Sequence, residues 1–140
     1  LPDKYEFEVE ADIDHVFKSC RANGHGYPPI IASGKNSCVL HYIDNNEKLK
    51  DGDLLLMDFG AEYANYSADM SRTIPVSGKF TDRQKACYNA VLRVMKEAKK
   101  LYVPGNNIEI VNEAVNKMME QEIIKLGLLS AEDVKKQDPE

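Results

Sequence analysis

A chain of 140 residues is one domain's worth, and it can bury roughly 68–70% of its unfolded surface, enough for a real core. Its composition, 43% hydrophobic and 29% charged, is that of an ordinary globular protein. A formal net charge of −5 argues against a nucleic-acid surface, which needs clustered Lys and Arg, and no apolar run approaches the length of a membrane span.

Val9, Ile13, Val16, Phe17 and Cys20 recur at helical spacing, which predicts an amphipathic helix over residues 5–22, stopped by Asn23-Gly24. Tyr27-Pro28-Pro29 is extended or turning, because proline blocks the helix there. Ile30-Ile31-Ala32 reads as a short strand, Ser33-Gly34-Lys35-Asn36 as a loop, and Cys38-Val39-Leu40-His41-Tyr42 as a second strand. Residues 44–53 are polar and turn-like. Leu54-Leu55-Leu56-Met57-Asp58-Phe59 is an apolar strand holding one carboxylate, and residues 60–76 continue a strand ladder that Gly78 closes.

Thr81 and Gln84 have the spacing of a capping box, opening a helix that runs to about residue 101 and stops at Pro104-Gly105. A third helix carries Ile108, Val111, Val115, Met118 and Met119 on one face and ends at Gly127. Residues 130–140, six of eleven charged, read as a surface connection or a ragged end. A helix, a run of strands and two helices make an α+β pattern without internal repeats. Cys20, Cys38 and Cys87 are odd in number and lack metal-type spacing, so they read as reduced thiols of a cytoplasmic protein. No stretch reads as a signal peptide, and a first residue of Leu predicts a cut or processed chain.

Asp58 is the residue that asks for an explanation, since a carboxylate inside an apolar strand must be paired, hydrogen-bonded or bound to a metal. Asp69 follows eleven residues later. A two-residue turn at Ala64-Asn65 would set Tyr63 against Tyr66, Gly60 against Asp69 and Asp58 against Ser71. Side-chain alternation then puts Asp58 and Asp69 on one face as diagonal neighbours, about 7–8 Å apart at the backbone. Two such charges repel, and a divalent cation, or a pair about 3.5–4 Å apart, would resolve the conflict. The competing reading pairs Asp58 with Arg72 in a salt bridge; parity opposes it, because Arg72 should face away from Asp69, though a bulge would reverse that. His41 at a strand end has a structural reading, hydrogen-bonded in place, beside a functional one. His15 on the helix and His25 in a loop are read as non-functional.

These residues resemble a known family. Asp58-Phe59-Gly60-Ala61-Glu62-Tyr63, then Tyr66, Asp69, Arg72-Thr73, Pro75-Val76 and Gly78-Lys79-Phe80-Thr81, are similar to the metal-binding hairpin of the pita-bread metallopeptidases. Ser33-Gly34, Asn36, Cys38 and Leu40-His41-Tyr42 resemble the segment carrying that family's active-site histidine. Asn46-Glu47, Asp51-Gly52-Asp53-Leu54 and Lys125-Leu126-Gly127 are similar to its aminopeptidase P branch, and the resemblance runs from about residue 5 to 130.

The resemblance implies residues 1–140 as the first half of the pita-bread catalytic domain, an antiparallel sheet with covering helices. An additional N-terminal domain and the second catalytic half would belong to the parent protein. It implies a metal-dependent exopeptidase that releases the first residue of peptides with proline second, through a water activated by two divalent metals, most simply Mn²⁺. Asp58 would bind one metal and Asp69 would bridge both; the remaining histidine and two glutamates would come from the second half. His41 would contact substrate and steady the developing charge, with Ser71 in support near the metals. The alternatives are a dipeptidase for Xaa-Pro substrates and a binding module that has lost catalysis. The chain alone is expected to be inactive, with a partial or empty metal site. Its partner is expected to be the peptide, not nucleic acid or membrane, with homo-oligomerisation possible.

Overall fold

The structure is a computed structural model that describes residues 2–136. It divides into two compact units, Leu1–Phe80 and Thr81–Glu140.

The first unit opens with helix α1, Glu6–Ser19. The Glu8 carboxylate accepts the Tyr5 N–H at 2.7 Å, and Glu6, Glu8 and Lys18 place charge where the helix dipole favours it. Val9 is buried and Ile13 packs on the core, with Phe17 half-buried. Val16 and Cys20 are exposed, so the inward stripe is narrower than the sequence predicts and follows a spacing of four. The helix ends at Ser19, before Asn23-Gly24, and Arg21, with φ of 68°, takes the left-handed position beyond it.

Among the described residues six short strands follow: β1 Gly24–His25, β2 Ile30–Ser33, β3 Leu54–Phe59, β4 Ala61–Tyr63, β5 Tyr66–Ser67 and β6 Met70–Pro75. They form two antiparallel sheets, ordered β2-β3-β6 and β1-β4-β5. Val9, Ile31, Leu49, Leu55 and Val76 make the core, with Ile13, Met57 and Ile74 against it; burying each such side chain contributes roughly 1.5–3 kcal/mol.

The predicted hairpin register is present. Tyr63 pairs with Tyr66 and Asp58 with Ser71, and the turn residues Ala64 and Asn65 have φ of 53° and 67°, as a two-residue hairpin loop requires. The ladder is not continuous, however. It breaks at Gly60 and residues 68–69, and the hairpin passes from one sheet to the other. The backbones approach closely at the break, where only glycine fits: a Cβ on Gly60 would lie 1.7 Å from the Ala68 carbonyl oxygen. The Gly60 carbonyl accepts the Gly26 N–H at 2.8 Å.

The predicted strand over residues 38–42 is absent. Gly34–Cys38 is a short 3-10 helix, and residues 40–41 turn, with His41 at φ 51°. Its apolar Val39 and Leu40 are exposed, and Asn36 and Tyr42 gather around one buried carboxylate instead.

In the second unit, helix α2 spans Asp82–Lys99 and helix α3 spans Ile108–Lys125. Thr81 Oγ1 accepts the Gln84 N–H at 3.2 Å and Gln84 Oε1 accepts the Thr81 N–H at 2.9 Å, the predicted capping box. Asn107 caps α3, and Gly127 follows it with φ 68°. Ala90 and Val94 of α2 and Val111 of α3 are buried, while Ile108 of the predicted α3 face is exposed. Glu122, also buried, accepts from Arg93 Nη2 at 2.5 Å and Lys125 Nζ at 3.0 Å. Within the stretch read as a surface connection, Ala131–Lys135 forms a short helix, α4, capped by Ser130 and Asp133; residues 137–140 lie outside the described residues.

Candidate functional site

The break in the hairpin defines the site. Asp58 is the next-to-last residue of β3, and Asp69 stands just before β6, across from Gly60. Phe59 pairs with Met70, and Ala68 N–H bonds Ala61 O at 2.9 Å, so the register runs through the break without a slip. The two carboxylates consequently converge. Tyr27 Oη donates to Asp58 Oδ1 at 2.7 Å and lies 3.2 Å from Asp69 Oδ1. A phenol has one proton to give, so at any moment it satisfies one carboxylate and leaves the other short of a donor.

Tyr27 is absent from the sequence-derived site. Its signal was its position, an aromatic hydroxyl directly before Pro28-Pro29, where the fixed extended backbone leads into β2. Burial, reinforced by the Asp58 carboxylate, pushes its hydroxyl well above the usual tyrosine range, so it remains a protonated donor at neutral pH.

Asp58 and Asp69 line an open cleft of about 440 Å³ together with Tyr27, Pro28, Ile30, His41 and Ile43. His41 is thus brought to the same space as the aspartates, from a turn and not from a strand end. Ser71 stands opposite Asp58 in register, on the face that Asp58 uses, though it does not line the cleft. Arg72 does not pair with Asp58: its Nη1 donates to the Ser71 carbonyl at 2.7 Å, and among the described residues neither site aspartate has an ion-pair partner. His15 is exposed, and His25 packs edge-on against Phe17 with ring centroids 4.9 Å apart.

Two convergent carboxylates without a cationic partner suit a hard divalent cation, which takes oxygen ligands. They are a partial shell. Among the described residues no cluster of three or more His, Cys, Asp or Glu is placed to hold a metal. The arrangement offers two carboxylates and an imidazole to one cleft.

The profile of "Metallopeptidase family M24" matches residues 1–137. The chain belongs to that family. Within family M24, it is 43% identical over 131 residues to the Xaa-Pro aminopeptidase of Haemophilus influenzae, covering 94% of this chain and 30% of that protein. Among solved structures, zinc-substituted aminopeptidase P of Escherichia coli in complex with product superposes with a TM-score of 0.89 at 40% identity. That match covers 93% of this chain and 30% of the other. The aminopeptidase PepP of Pseudomonas aeruginosa gives 0.90 at 36% identity, with 93% and 29% covered. The fold is accordingly that of the N-terminal part of the pita-bread domain, mixed helix and antiparallel sheet. The chain spans about 30% of the length of the relatives it matches.

Proposed function

We propose that this chain is the first half of the catalytic domain of an Xaa-Pro aminopeptidase, which releases the first residue from peptides with proline in the second position. The observation that carries the reading is the convergence of Asp58 and Asp69 on one hydroxyl, in a cleft that His41 also lines. In this reading Asp58 and Asp69 would supply two of the ligands that hold the divalent metals. The other ligands come from the second catalytic half, outside residues 1–140. Oxygen-dominated ligation favours Mn²⁺ over a thiolate-seeking metal. When bound, the metals supply Lewis acidity and lower the pKa of water at the site.

The chain's own residues then have separate tasks. Tyr27 steers the carboxylates toward one another by offering its proton to either. His41 donates an imidazole N–H to the carbonyl oxygen of the scissile bond as charge develops there, a contribution of about 10²–10³-fold for one such donor. Ser71 keeps a hydroxyl on the Asp58 face. Pro28, Ile30 and Ile43 give the cleft an apolar wall suited to a proline ring. Cytoplasmic residence agrees with the three unpaired cysteines, and among the described residues no helix is long and apolar enough to cross a membrane.

The test is made in the full-length protein containing this segment. Asp69→Asn should abolish Mn²⁺-dependent release of the first residue from an Xaa-Pro-Xaa peptide, since an amide bridges two cations poorly. His41→Ala should keep its metals and turn over slowly. Loss of metal on replacing His41, or full activity without the Asp69 carboxylate, would overturn these roles.

A further inference from the structure

Helix α1 reaches the site through a residue that never lines the cleft. Glu6 is fully buried, and its carboxylate accepts five hydrogen bonds. Oε1 takes the Ser33 N–H at 2.7 Å, the Ser33 hydroxyl at 2.9 Å and the Asn36 amide at 3.2 Å. Oε2 takes the Tyr42 hydroxyl at 2.7 Å and the Glu47 N–H at 3.1 Å. The donors belong to the beginning, middle and end of one segment, residues 33–47. Burial works against the charge, but the donors from Tyr42, Ser33, Glu47 and Asn36 together outweigh it and hold the carboxyl below its usual range. Burial and the facing Glu6 carboxylate push the Tyr42 hydroxyl up to about 12, so it stays a donor.

This segment needs such a hub. From residue 34 to residue 47 it contains a single 3-10 helix and no strand, and at its far end the Glu47 carbonyl accepts the Glu6 N–H at 3.0 Å. His41 lies in it with φ 51°, a conformation that a non-glycine residue keeps only when its surroundings impose it. Leu40 is 91% exposed and imposes nothing, whereas Tyr42 is buried, 6% exposed, and anchored by Glu6 and by Asn36 Nδ2 at 3.0 Å. Glu10 also holds this segment, through Asn45, but four residues beyond His41.

We infer that Glu6 is a positioning residue for His41: by gripping Tyr42 and both ends of its loop, it sets where the imidazole stands in the cleft. The inference rests on the proposed action of His41 on substrate.

The test compares Glu6→Gln, His41→Ala and the double variant in the full-length protein, measuring Mn²⁺ content and kcat and KM on an Xaa-Pro-Xaa peptide. A glutamine replaces one acceptor oxygen with an NH₂ that faces existing donors. It should lower kcat by about 10- to 100-fold, the scale of a misplaced catalytic group, with metal content unchanged. Because the effect passes through His41, Glu6→Gln should add nothing in the His41→Ala background. An unchanged kcat, a loss of metal, or the same fold-loss on top of His41→Ala would overturn the inference. If Glu6→Gln fails to fold, Tyr42→Phe, which leaves Glu6 its four other donors, carries the same comparison. A His41→Ala variant with normal turnover would overturn the reading of His41 and the inference with it; a slow His41→Ala beside a normal Glu6→Gln would overturn the inference alone.

Discussion

Replacing Gly60 by alanine presses on the point where the hairpin changes sheets. The added Cβ would stand 1.7 Å from the Ala68 carbonyl oxygen, 2.5 Å from its carbon and 3.2 Å from the Asp69 nitrogen. Ordinary contact begins near 3.4 Å, so the facing backbone has to retreat by roughly 1.7 Å. No side-chain rotation relieves the clash, because every atom met is main chain. Overpacking costs about 1–3 kcal/mol, and a rigid partner puts this case near 3. For a unit of about 80 residues, each kcal/mol moves the melting temperature by about 4–8 °C, which gives a fall of about 12–24 °C. Thermal denaturation of this chain followed by circular dichroism measures it. A melting temperature within about 3 °C of the unmodified chain would refute the argument that the Ala68 carbonyl leaves no room for a side chain at Gly60.

Ala64→Gly should act in the opposite direction, because Ala64 holds φ 53° in the hairpin turn; relief of about 1 kcal/mol should raise the same melting temperature, and no rise would show the turn to be unstrained. In the second unit, Arg93 and then Lys125 hold the Glu122 carboxyl down to about 2. A carboxyl lowered from its usual 4.5 contributes stability that is complete above about pH 4.5 and is lost as pH falls toward 2. Glu122→Gln should therefore flatten the acid limb of the melting curve across that window, and an unaltered slope would assign the acid sensitivity elsewhere. The chain by itself should bind Mn²⁺ weakly, leave Xaa-Pro peptides uncleaved and self-associate, since Leu40, Ile43, Tyr63 and Tyr66 are exposed; light scattering and calorimetric titration examine this, and a monodisperse monomer that cleaves such peptides would contradict it.

How far the sequence could be read depended on whether a residue's partners were close in the chain. The hairpin was legible because its rule is local. Side chains alternate, a two-residue turn fixes the register, and Asp58 and Asp69 fall on one face. The Thr81–Gln84 cap was legible for the same reason. The segment at residues 38–42 was not. Its short run of apolar residues has the look of a strand, but Asn36 and Tyr42 bond a carboxylate 30 and 36 positions earlier. Nothing in the local pattern announces that Glu6 turns inward, because acidic residues in a first helical turn are ordinarily solvated and favoured by the dipole. Tyr27 escaped for a similar reason: its partners are 31 and 42 residues away. Gly60 was visible as a motif residue, but its collision with Ala68 is a property of the folded hairpin.

Anomalous diffraction at the manganese edge, from crystals of the full-length protein grown with Mn²⁺, tests the central claim most directly. The account predicts two peaks about 3.5–4 Å apart, with an Asp69 oxygen on each and the Asp58 carboxylate on one. Peaks that avoid both carboxylates, or a single ion held elsewhere, would contradict it.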